Sequence, residues 1–86
     1  MSSYLVTFAK SASKELSRLD APLVKRIIAK TETLAIEPRP PGCKKLEGSV
    51  NEWRIRIGDY RVIYTIDDTV KVVDVSAVRH RSDAYR

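Results

Sequence analysis

The stretch from Trp53 to Tyr85, WRIRIGDYRVIYTIDDTVKVVDVSAVRHRSDAY, decides how this chain folds. Apolar residues recur at every second position, the period of strands with one buried face. Trp53, Ile55 and Ile57 alternate with Arg54 and Arg56. Gly58-Asp59 follows, and glycine at the first central position suits a two-residue type II′ hairpin turn. The next strand presents Tyr60, Val62, Tyr64 and Ile66 on one face. A two-residue loop then sets Ile57 opposite Tyr60, Ile55 opposite Val62 and Arg56 opposite Arg61. Like charges directly opposed destabilise a strand pair. A sheet that stacks Arg54, Arg56 and Arg61 on one face therefore calls for an anion there, and reads as a phosphate clamp. The alternative is a solvated basic face. Asp67 to Thr69 supplies a second tight turn. Val73, Val75 and Ala77 are expected to continue the apolar face, with Asp74 and Ser76 among the arginines and Asp74 orienting Arg61 or Arg56.

Upstream of this meander the period changes. Tyr4, Val6 and Phe8 alternate with Leu5 and Thr7 as a short strand. Ala9, Ala12, Leu16 and Leu19 fall at helical spacing. Asp20 is a good N-cap and Pro22 is tolerated in a first turn, so a second helix runs through Ile27, Thr31 and Leu34. That helix must stop before Pro38, because the residue preceding a proline is driven from helical angles. Lys14, Lys25, Arg26 and Lys30 lie on the polar sides of the helices and read as solvated surface, the alternative being that they add to a basic footprint. Pro38 to Gly42 reads as a stiff, extended connector. Lys44, Lys45 and Leu46 suit a short edge strand. The order predicts an α+β, two-layer domain spanning residues 1–86: an N-terminal strand, two helices, then a three- to four-stranded antiparallel sheet. The helices cover the apolar sheet face and leave the arginine face open.

With 16 Lys and Arg against 11 Asp and Glu, the 86-residue chain carries a net charge of +5. Such a balance favours a polyanionic partner, and nucleic acid leads. The basic residues sit on strands and not along an amphipathic helix, which argues against a membrane surface. No apolar run approaches spanning length and no signal-peptide pattern opens the chain, so a cytoplasmic protein is expected. One cysteine, Cys43, and one histidine, His80, exclude a disulfide framework and most metal sites, so no metal or other cofactor is expected.

Several motifs together resemble the RelE/ParE superfamily of toxins: K-L-E-G at Lys45 to Gly48, R-I-G-D-Y-R-V-I-Y at Arg56 to Tyr64, and the closing R-H-R-S-D-A-Y-R. The resemblance covers essentially the whole chain. It implies the toxin of a type II toxin–antitoxin pair, monomeric when free and neutralised by a small antitoxin protein. It also implies the RelE-like fold, with the N-terminal strand beside the last one. RelE toxins cleave mRNA in the ribosomal A site without a metal, by attack of a 2′-hydroxyl on the adjacent phosphate. ParE toxins instead poison DNA gyrase, and an inactive homologue would only bind its antitoxin.

The RelE pattern maps onto this chain with one departure. Two lysines of the RelE strand are replaced by Arg54 and Arg56, while Arg61, Arg79 and Tyr85 match in type. The resemblance implies a phosphate-binding set of Arg54, Arg56, Arg61 and Arg79, and Arg81, Lys44 and Lys45 are expected to add to it. Arg54, Arg61, Arg79 and Tyr85, with His80 as a substitute for the lysine that Arg54 replaces, form the expected catalytic set. An arginine stays protonated and is a poor base. His80 and Tyr85 are therefore the proton-transfer candidates, since an imidazole titrates near neutrality and a tyrosine can donate a proton or stack on a base.

Overall fold

The computed structural model describes residues 3–82. Strand β1 (Leu5–Phe8) leads into helices α1 (Lys10–Leu16) and α2 (Ala21–Glu32), and α2 tightens into a 3-10 turn, Thr33–Ala35. Strands β2 (Lys44–Lys45), β3 (Glu52–Ile57), β4 (Tyr60–Asp67) and β5 (Val72–His80) follow. They form one sheet in the order β1-β5-β4-β3-β2, in which only β1 and β5 run parallel. The chain thus starts at one edge, crosses to the other through the helices, and returns as an antiparallel meander. The α+β architecture expected from the residue pattern is the observed one, with five strands where the meander and its N-terminal neighbour were anticipated.

One face of the sheet is apolar because the strand period puts Ile55, Ile57, Val62, Tyr64, Ile66, Val73 and Val75 on it, all buried. The helices close this face with Ala12, Leu16, Ile27 and Leu34. Thr31 is also buried, and its hydroxyl donates to the Ile28 carbonyl one turn earlier at 2.8 Å, so the polar group is satisfied inside the core. Tyr64 is fully buried yet keeps a partner, its hydroxyl donating to the Pro38 carbonyl at 2.8 Å. Burial pushes the Tyr64 phenol above its ordinary pKa.

That hydrogen bond anchors the connector between the layers, which is more turned than a run of prolines suggests. Gly42 has a φ of 92° and the Cys43 N–H donates to the Pro40 carbonyl, closing a turn. A positive φ after Pro41 is what a type II turn requires, and glycine meets it without strain. Arg39 then bridges outward. It pairs with Asp68 at 2.9 Å and its guanidinium lies 5.0 Å from the Trp53 ring centre. Hydrogen bonds from Arg39, then from the Tyr4 hydroxyl, hold the Asp68 carboxyl down at about 2. The same pairing raises Arg39.

Candidate phosphate-binding face

The Gly58-Asp59 turn has two residues, with Ile57 in register with Tyr60. Gly58 takes a φ of 59° and Asp59 is not in the left-handed region, the type II′ signature. Arg56 consequently stands opposite Arg61. Arg61 in turn stands opposite Arg79 on β5. Three arginine positions thus lie in one row across three strands, on the sheet face away from the helices, with opposed Cβ atoms roughly 5 Å apart. Arg54 lies on the same face two residues along β3, in register with Lys44 and Ile63. The Arg81 N–H donates to the Asp59 carbonyl at 2.7 Å, carrying the β4–β5 alignment past the row. Arg56, Arg61 and Arg81 share a solvent-open cleft of about 320 Å³ beside the turn.

Arg79 reaches this row only because β5 is irregular. Val75 pairs with Tyr64 and Ala77 pairs with Ile63, so Ser76 is an extra residue, a β-bulge. The bulge inverts the alternation beyond it. Val78, and not Ala77, continues the core beside Val62, and Arg79 turns to the arginine face. The Ala77 expectation is corrected accordingly. His80 is turned the opposite way: it pairs with Tyr60 on the helix face, their rings edge-on with centres 5.2 Å apart. Its Nδ1 lies 2.8 Å from the Ser82 hydroxyl. The bulge thus separates His80 from the row that contains its neighbour Arg79.

Other expected members divide in the same way. Lys44 shares the arginine face. Lys45 pairs with Trp53 on the helix face, with Nζ 6.0 Å from the indole centre, and so does not extend the row. Asp74 lies in register with Thr65, four residues along β4 from Arg61, and accepts a hydrogen bond from the Thr7 hydroxyl at 2.7 Å. Its place is beside β1 and not at the row. Tyr85 lies outside the described residues. Among those described, no group of three or more His, Cys, Asp or Glu is arranged to hold a metal ion.

The sequence pattern of the family described as the ParE toxin of the type II toxin–antitoxin system parDE matches residues 6–85. The chain belongs to this toxin family. Toxin RelG of Mycobacterium tuberculosis is 30% identical over 84 residues, covering 96% of this toxin and 97% of its own length. RelE of Pyrococcus horikoshii OT3, solved as a RelE–RelB complex, matches with a TM-score of 0.81 and 32% identity over 92% of this toxin and 96% of that chain. Isolated E. coli RelE matches with a TM-score of 0.78 and 28% identity over 95% and 90%. The protein is thus a RelE-like toxin of the type II toxin–antitoxin class.

Three residues near the row were not placed beside it by the residue pattern. Strand β1 ends opposite Val75, leaving the outer edge of β5 uncovered at the bulge, and α1 of the toxin fills the gap. The Ala9 N–H donates to the Val75 carbonyl, the Ser11 hydroxyl to the Ser76 carbonyl, and the Val78 N–H to Glu15 Oε1 at 2.9 Å. The other Glu15 oxygen lies 3.7 Å from Arg79 Nε. One carboxylate therefore caps the bulged edge and orients a member of the row. Nothing in the α1 periodicity marks Glu15 for this. Arg26 and Lys30 of α2 border Arg56 from the opposite side. Their common side of the helix was visible, but not that it abuts β3.

Proposed function

We propose that this toxin is a metal-independent endoribonuclease that cleaves mRNA on the ribosome and works in the cytoplasm. The observation that carries the reading is the in-register row Arg56–Arg61–Arg79 on an open sheet face. Guanidiniums present planar pairs of N–H donors that fit the non-bridging oxygens of a phosphodiester. In the proposed reaction a ribose 2′-oxygen attacks the adjacent phosphorus and the bond to the 5′-oxygen of the next nucleotide breaks. The products are a 2′,3′-cyclic phosphate and a free 5′-hydroxyl. Negative charge grows on the phosphorane oxygens, and prearranged cations aimed there supply the main stabilisation. Arg61, at the centre of the row and half-buried, is assigned the scissile phosphate. Arg56 and Arg79 flank it, and Arg54 and Arg81 hold the neighbouring backbone. Glu15 keeps Arg79 in place. Proton transfer is assigned to Tyr85. His80 is the lesser candidate, since its ring packs on Tyr60 across the sheet.

The reading extends to a partner. RelE of P. horikoshii was solved with RelB, and a cognate antitoxin of this toxin would neutralise the basic face with an acidic segment that folds on binding. Primer extension on mRNA from cells expressing the toxin tests the activity. Discrete stops inside translated codons are expected, and intact transcripts at the onset of growth arrest would overturn the reading. A second reading, a gyrase poison, is favoured by the ParE description of the family matched. Inhibition of purified gyrase with intact mRNA would select it.

A further inference from the structure

The arginine row is not where the positive surface ends. Strand β2 pairs with β3 only at Trp53 and Arg54, so the outer edge of β3 from Ile55 onward has no strand beside it. A second solvent-open cleft, of about 360 Å³, occupies this edge. Lys30, Lys44, Arg54 and Arg56 line it, with Pro40 and Gly42 of the connector turn forming its wall. None of its lining residues is acidic. A shallower hollow continues from it over α2, bordered by Arg26, Lys30, Arg56 and Gly58. Arg26 reaches the hairpin turn, its Nη2 3.6 Å from where a Cβ on Gly58 would stand.

Arg56 lines the cleft of the row, the edge cleft and the hollow. A single small anion would fill one of these and leave the others unfilled. A repeating polyanion threaded past Arg56 would neutralise them together. Basic grooves that track a backbone are the usual solution for single-stranded nucleic acid. The stiff Pro40–Pro41 segment gives the groove a wall that loses little freedom when a strand settles against it.

We propose that the RNA strand held at the arginine row continues over the open edge of β3 into this second cleft. There Lys30 and Lys44, with Arg26 in the hollow beyond, bind phosphates of nucleotides outside the cleaved codon. The inference rests on the RNA-cleavage reading and adds to it a subsite built from α2 and the connector. The role of α2 is then double: its apolar side closes the core while its basic side extends the RNA path.

The test uses the full-length toxin and 2′-O-methylated RNA, which lacks the attacking hydroxyl. Binding of a trinucleotide and of a nonanucleotide is measured over a range of salt for the wild type and an Arg26→Ala/Lys30→Ala double variant. Both side chains are exposed, and the thermal midpoint of the variant checks its fold. For the nonanucleotide, the variant is expected to lose at least about tenfold in affinity. Its slope of log K against log salt should fall by roughly 1.4, at about 0.7 per phosphate contact on single strands. Trinucleotide binding should be unchanged. Wild-type affinity and slope of the variant for the nonanucleotide would overturn the subsite while leaving the row intact. Failure of the wild type to bind either RNA would overturn the RNA reading itself, and the subsite with it.

Discussion

Removing the Glu15 carboxylate should cost more stability than its half-buried position on a short helix suggests. Two interactions end with it. The pairing with Arg79 spans 3.7 Å, with the arginine side chain 54% exposed, so solvent screening limits it to a few tenths of a kcal/mol. The hydrogen bond from the Val78 N–H, at 2.9 Å, is different in kind. Val78 is buried, and its N–H lies on the part of the β5 edge that β1 does not reach. Glu15→Ala leaves that donor without its acceptor, at about 1–3 kcal/mol. Glu15→Gln keeps an oxygen on the same stem and loses only the charge, at about 0.5–1 kcal/mol. For a chain of this size each kcal/mol lowers the melting midpoint by about 4–8 °C. Calorimetry at neutral pH should therefore place Glu15→Ala about 8–16 °C below the wild type for a loss near 2 kcal/mol, with Glu15→Gln within about 4–8 °C. The gap for alanine should persist at high salt, because a backbone hydrogen bond is not screened as an ion pair is. An alanine variant within about 2 °C of wild type would refute the assignment of Glu15 as the edge cap.

Three further outcomes are expected. Arg61→Ala should abolish toxicity, leave the melting midpoint close to wild type, and lower the salt slope of RNA binding by roughly 0.7–1 unit; a fully toxic variant would remove the phosphate clamp. His80→Gln should cleave programmed ribosomes within about threefold of the wild-type rate and without changing its pH profile; a 10²–10⁴-fold loss, the size typical of a proton-transfer residue, would return the histidine to the chemistry. For Asp68 the sign follows from a carboxyl held at about 2 in the folded chain and higher when unfolded. The charged form is favoured by folding, so its contribution is complete above the unfolded value near 4 and is lost as pH falls through 2. The difference in melting midpoint between wild type and Asp68→Asn should stay level above pH 5 and close between about pH 4 and 2. A gap that widened on acidification would contradict the Arg39–Asp68 pairing.

What the residues by themselves determine is local. Alternation names the core face of β3 and β4, and Gly58 at the first turn position ties Ile57 to Tyr60. Arg56 opposite Arg61 then follows by counting, because a two-residue loop allows no other register. The two helices are legible for the same reason: their period and the prolines that bound them act within a few residues. The position of Arg79 is of another kind. Carried straight through Val73, Val75 and Ala77, the alternation points Arg79 into the core and His80 among the arginines. The bulge at Ser76 reverses both, and beyond it the Val78 N–H faces an edge that β1 does not reach, so something else must satisfy it. Here a carboxylate 63 residues earlier in the chain does so. The juxtaposition of α2 with the open edge of β3 likewise depends on how the helices lie across the sheet. Short-range sterics and turn geometry determine two members of the row, and long-range packing brings in the third.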